Sequence, residues 1–254
     1  MQAETSKEWR EENDLFTYRR IRKAIGFLGI SLPIVLVGFS FIPFFKTELQ
    51  PSISHYYFTN LREIFTGTLW AVGLFLIRYK GHINRSILKN DSLLTNLAGV
   101  MAFGAAIVPT TPEAEIDKDQ LYTLIPYPGD WLGWVHYGFA TALFLIFSIL
   151  AINVFTIGQA KNIDIPVSAV NENKIYRICG CLIIVFIAMI PIADQFNLFR
   201  YSTLVFEALA LFAFGVAWLI KGRALGDTGK IGEMVYREHN IKAGDPRHYY
   251  TADA

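Results

Sequence analysis

The run Ala24-Ile-Gly-Phe-Leu-Gly-Ile-Ser-Leu-Pro-Ile-Val-Leu-Val-Gly-Phe-Ser-Phe-Ile-Pro-Phe-Phe45 holds 22 consecutive residues without a charge. At 1.5 Å rise per residue, a helix of that length crosses the roughly 30 Å hydrocarbon core of a bilayer. Five more apolar blocks follow: Phe58 to Ile77, broken near its start by Arg62 and Glu63; Ser92 to Thr111; Trp131 to Gly158, free of Asp, Glu, Lys and Arg; Ile178 to Ala193; and Tyr201 to Ile220, interrupted by Glu207. The pattern predicts an all-α, polytopic membrane helical bundle of six transmembrane helices.

The composition agrees. Of the 254 residues, 53% are hydrophobic and 18% charged, and the mean hydropathy is +0.34. Soluble domains run nearer 45–50% and about 25%. That shift excludes a disordered chain, a coiled coil and a soluble globule. A net charge of +1 gives no basic field for nucleic acid. Residues 1–23 read as a cytoplasmic basic tail, 24–220 as the membrane domain and 221–254 as a cytoplasmic C-terminal tail. The first tail reads either as a solvated segment or as a short interfacial helix carrying Trp9, Leu15, Phe16, Tyr18 and Ile21 among its charges. The first apolar run is too long for a signal-peptide core, so no cleavable leader is expected.

Orientation follows from the basic residues. If the spans alternate, 19 of the 23 Lys and Arg lie on the side of the N-terminus, and only Lys46, Arg62, Lys118 and Arg200 lie on the other. This bias places both termini in the cytoplasm. Ala98, Ala102 and Ala106, and Gly67 with Ala71, have the spacing of close helix packing. Pro33 and Pro191 fall inside spans, where kinks are expected. Cys179 and Cys181 point about 200° apart on a helix and read as packing residues. The acidic, proline-bearing stretch Thr111 to Asp130 reads as a mobile, dispensable loop.

Ionisable residues gather under the outer boundary. Glu207 lies about 9 Å into the last span and His136 about 7.5 Å into the fourth, at 1.5 Å per residue. Arg62, Glu63 and Asp194 fall in the same layer, and Ser52, Ser54 and His55 stand just before it. The inner half shows no comparable layer; Thr95, Asn96 and Ser148 are its only polar hints. An intramembrane charge costs about 2.5–3.5 kcal/mol on insertion scales and reads as a functional site by default. The other reading is an Arg62–Glu207 ion pair that fixes helix register.

Several short stretches also carry a resemblance. They are Pro51-Ser-Ile-Ser-His-Tyr-Tyr57, Arg62-Glu-Ile-Phe-Thr-Gly67, Gly73-Leu-Phe-Leu-Ile-Arg-Tyr-Lys-Gly81, Asn96-Leu-Ala-Gly99, Gly133-Trp-Val-His136, Lys174-Ile-Tyr-Arg-Ile-Cys-Gly180, Glu207-Ala-Leu-Ala210 and Trp218-Leu-Ile-Lys-Gly222. Together, over Pro51 to Gly222, the chain resembles a bacterial membrane family described only as domain of unknown function 998. More remotely, a Pro-x-x-Ser segment before the second span and an acidic residue in the last resemble the eukaryotic Frag/DRAM/Sfk superfamily. The resemblance implies six spans and association with lipid, names no reaction, and singles out Ser52, Ser54, His55, Arg62, His136 and Glu207. The expected location is the bacterial inner membrane.

Three functions compete. A lipid-binding or lipid-organising protein would use Arg62 for a phosphate and Glu207 or His136 for hydroxyls or an amine. A lipid hydrolase at the outer leaflet would need either a zinc site from His55, His136 and Glu207 (or Asp194 in place of Glu207), or a Ser54–His136–Asp194 triad; the chain has no HExxH and no GxSxG motif. A small proton-coupled transporter would use Glu207. Membrane lipid is the expected partner, a homo-oligomer stays open, and no cofactor is implied.

Overall fold

The apolar runs become helices, but their ends move. In a computed structural model, residues 2–79, 81, 83–112, 123–126, 129–157, 171–226 and 230–242 are described. They form α1 (Gln2–Ser40), α2 (Arg62–Arg78), α3 (Asp91–Ile107), α4 (Trp131–Ile149), α5 (Glu172–Gln195), α6 (Ser202–Lys221) and α7 (Lys230–Lys242), with no β-strand among them. Leu150–Val154 continues α4 as a π-turn. Four of these helices are long and apolar enough to cross a membrane: α1 from Phe16, α4 with its π-turn, α5 and α6. Only 22–44% of each apolar stretch is buried in the bundle. The rest faces outward, far more apolar surface than a soluble protein exposes.

Three boundaries correct the sequence reading. The N-terminal tail is not separate from the first span, because α1 runs unbroken from Gln2 to Ser40. Of the residues named for an interfacial helix there, the side chains of Trp9 and Leu15 lie outside the described set. The first span stops at Ser40 rather than Phe45. Pro43 disfavours helical geometry at the residue before it, Ile42 is extended, and Pro43–Phe45 closes as a separate 3₁₀ turn. The C-terminal segment is not all tail: α7 docks Val235 and Tyr236 into the core, and the Tyr236 hydroxyl donates to the Ile220 carbonyl at 3.0 Å. Most of the 111–130 loop, and everything beyond 242, lies outside the described residues.

Each helix packs against the next, and α6 returns to α1, so α1–α6 form a closed ring. Consecutive helices run in opposite directions between two ends. One end, the loop end, carries Ser40, Arg62, Val108, His136 and Glu207. The other, the basic end, carries Arg22, Tyr79, Asp91, Glu172 and Lys221. Asn90 and Asn171 cap α3 and α5 by accepting the amides of Leu93 and Lys174, the usual work of Asn at that position.

Small residues set two helix contacts. A Cβ on Gly99 would stand 2.8 Å from the Gly73 carbonyl, and one on Gly215 would stand 2.7 Å from that of Gly26. The α2–α3 and α1–α6 crossings therefore bring backbone against backbone. Ala98, Ala102 and Ala106 are buried as their spacing suggests. Gly67 is exposed and faces open space, so it does not serve the packing role assigned to it. Both α1 and α5 continue through their prolines, Pro33 and Pro191. Cys179 is buried and Cys181 exposed, both as free thiols.

Candidate functional site at the loop end

The link between α1 and α2 folds into the ring instead of lying over it. Ser54–Phe58 form a 3₁₀ turn in which Ser54, Tyr56 and Tyr57 are buried. Leu32, Leu36, Phe65 and Leu204 pack around Ile53 and the two tyrosines. A buried loop must find partners for its backbone, and this one takes them from the surrounding helices. Leu204 N donates to the Pro51 carbonyl at 2.9 Å. Ile53 N donates to Glu207 Oε2 at 2.6 Å, and the Ser54 amide and hydroxyl lie close enough to act on the same carboxyl. Tyr56 shares a 2.7 Å hydrogen bond with Ser40, and the Tyr57 hydroxyl donates to the Ile107 carbonyl at 3.2 Å.

His136, fully buried on α4, completes the loop's attachment. Its Nδ1 lies 2.7 Å from the Val108 carbonyl and its Nε2 lies 3.0 Å from Ser54 Oγ. A carbonyl only accepts, so Nδ1 carries the proton, and in the neutral ring Nε2 accepts from the Ser54 hydroxyl. Ser54 thus stands between an imidazole and a carboxyl group. A serine beside a histidine whose second nitrogen is held by a carbonyl is the geometry of a nucleophile with an oriented base.

His55 is arranged differently. Ser52 Oγ accepts the His55 amide at 3.1 Å and pairs with ring Nδ1 at 2.6 Å. Nε2 meets no hydrogen-bonding group among the described residues, and the ring is half-buried. One nitrogen is anchored and the other is presented. Burial holds its pKa below the usual histidine value.

The structure thus gathers Ser52, Ser54, His55, His136 and Glu207, and it leaves three expected members out. Arg62 does not pair with Glu207. Its Nε donates to the Tyr57 carbonyl at 2.6 Å, and its guanidinium sits 5.1 Å from the Tyr57 ring. Sequence depth placed the two charges in one layer, but α2 and α6 present them to different neighbours. Glu63 faces outward beside it, and Asp194 is exposed at the end of α5. The Ser54–His136 pair therefore has the Val108 carbonyl, not Asp194, as its third group. The zinc set of His55, His136 and Glu207 also fails to assemble, because both nitrogens of His136 are engaged. Among the described residues no three ligating side chains stand together.

A second polar layer, at the basic end, escaped the sequence reading. It joins Arg22, Tyr79, Asp91, Glu172, Tyr176, Lys221, Arg223 and Tyr236 from every helix of the ring except α4, and from α7. In the sequence its cations read only as topology signals, and Asp91 and Glu172 drew no reading. The missed signal was that these two are acidic residues on an otherwise basic side, next to spans.

Comparison with known proteins adds no relative: no family model, no curated protein and no solved structure matches the chain.

Proposed function

We propose that the protein is a six-span integral membrane protein that binds or organises lipid through the polar group at its loop end. The observation that carries this reading is His55, anchored through Nδ1 and open at Nε2, in a cluster bounded by membrane-crossing helices. A headgroup hydroxyl or phosphate reaching the loop would find that nitrogen unoccupied by any described residue, with partly exposed Glu207 nearby. Six spans are favoured because α2 and α3, at 17 residues each, connect the same two polar layers as the longer helices. The 19-to-4 split of Lys and Arg favours a cytoplasmic basic end and an outward loop end in a bacterial inner membrane. The resemblance to the domain-of-unknown-function 998 family belongs to the same reading. Native mass spectrometry of the purified chain tests it. Retained phospholipid that is lost in His55→Ala and kept in Glu63→Gln is the expected result; equal retention in both overturns it. A periplasm-active reporter fused after Ile220 is expected to be silent.

One observation favours a second reading, lipid hydrolysis: the 3.0 Å contact of Ser54 Oγ with an oriented His136. A fluorophosphonate probe that labels the protein and fails on Ser54→Ala would establish a nucleophile; absence of labelling leaves His136 as a loop anchor. Transport has no comparable support. Thr95 donates to the Asp91 carbonyl within α3 and Ser148 on α4 to the Gly180 carbonyl on α5, Asn96 is exposed, and both hydroxyls are used on backbone rather than lining a path.

A further inference from the structure

The basic end gathers buried charge. Among the described residues Arg22, Arg223, Asp91 and Glu172 all lie within Coulombic reach of Lys221. Cations held in a desolvated cluster favour an anionic neighbour. Two of the cations also hold more donors than the described residues accept. The Arg22 guanidinium places Nε and Nη2 on one acceptor, the Tyr79 hydroxyl, at 3.2 and 2.6 Å. That hydroxyl in turn donates to Asp91 Oδ2 at 3.2 Å, so Tyr79 stands between the guanidinium and this carboxylate. Of five guanidinium N–H groups, those on Nη1 meet no acceptor among the described residues. Lys221 directs its ammonium inward to the Phe155 carbonyl at 2.8 Å, with the Phe155 and Tyr176 rings each 5.6 Å away. One of its three N–H groups is thereby used. A lysine at a span end normally extends toward water; this one turns into the bundle. Both residues are half-buried, so neither is sealed inside the bundle.

Their position narrows the ligand. Lys221 ends α6 and Tyr79 follows α2 directly, the level at which an apolar span gives way to headgroups. A guanidinium with adjacent free N–H groups suits two oxygens of one phosphoryl group, and a neighbouring ammonium adds a point charge. We infer that Arg22 and Lys221 form a binding site for an anionic phosphoryl group at the basic end, taken from an anionic lipid headgroup or from free phosphate. The site is separate from the loop-end cluster and does not depend on that reading.

The test uses the full chain, purified and stripped of lipid in a neutral detergent. Thermal stability is titrated with dioctanoyl phosphatidylglycerol, dioctanoyl phosphatidylcholine and inorganic phosphate. The expected result is a saturable rise with phosphatidylglycerol and a weaker one with the zwitterionic lipid. Phosphate that reproduces or competes with the effect assigns the site to the free ion; phosphate without effect assigns it to the lipid. Lys221→Gln and Arg22→Gln should each weaken the apparent Kd about tenfold or more, as expected for charge-assisted bonds. Lys221→Arg should retain binding. Asp91→Asn removes a competing negative charge and should tighten binding, a gain that misfolding cannot imitate. Equal response to both lipids, no response to any probe, or charge variants that shift melting without moving the Kd would overturn the site.

Discussion

Ser54 Oγ lies 3.0 Å from His136 Nε2, and the opposite nitrogen of that ring lies 2.7 Å from the Val108 carbonyl. The imidazole therefore joins the inserted loop to the end of α3 while belonging to α4. Ser54→Ala would leave Nε2 without a donor inside a buried site. The expected loss is about 1–3 kcal/mol, read by denaturant unfolding in detergent micelles. His136→Ala removes both bonds and opens a cavity, so its loss should exceed that of Ser54→Ala. Equal effects would mean that the Val108 bond contributes nothing.

Glu207 receives the Ile53 amide at 2.6 Å, whereas Arg62 is held at Tyr57. Glu207→Gln keeps an acceptor for that amide and should lose about 1 kcal/mol; Glu207→Ala should lose more. Because the two charges do not touch, Glu207→Gln and Arg62→Gln should add to within about 0.5 kcal/mol. A double-mutant cycle with a coupling well above that would restore the ion pair that sequence depth alone suggests.

What the sequence made legible was the periodic, collective part of the structure. Apolar runs located six helices, and the alanine spacing in α3 located a buried stripe. Depth counting collected Ser54, His136 and Glu207, because span residues at equal rise lie in one layer. It could not decide which of them meet. Arg62 and Glu63 have the right depth, but rotation about α2 turns them toward Tyr57 and outward. The insertion of the 51–58 loop was illegible for a related reason. Several of its anchors use a backbone amide or carbonyl, as at Pro51, Ile53 and Ile107, and every residue carries those. The basic-end layer was hidden because cations at span ends have a sufficient explanation in topology.

The glycine contacts give a graded test of helix packing. Gly99→Ala would put its methyl 2.8 Å from the Gly73 carbonyl, and Gly26→Ala would put one 2.8 Å from the Gly215 carbonyl. Backbone must shift in each, at about 1–3 kcal/mol. Gly67→Ala meets nothing within 4 Å and should be neutral or stabilising by up to about 1 kcal/mol, since alanine favours the helix. Melting temperatures that fall equally in all three would show that the loss does not come from the close backbone approaches at Gly99 and Gly26.

His55 supplies the pH dependence. Its folded pKa is depressed by burial, while in the unfolded chain it returns to about 6.5. Below that value the unfolded state binds a proton that the folded state resists. Stability should therefore be level above about pH 7.5 and fall as pH drops through about 6.5 toward the depressed folded value. His136 is the neighbouring titratable group acting with His55, and protonating His55 sets a cation beside it. His55→Gln removes the proton uptake and should flatten part of the decline between about pH 7.5 and 5.5. Ser52→Ala frees Nδ1 from its 2.6 Å contact, and the ring should then lose its fixed orientation. If the lipid reading holds, retained phospholipid should fall in Ser52→Ala at pH 7.5 while the fold survives. A decline of the same slope in wild type and His55→Gln would show that His55 is not the group that senses pH.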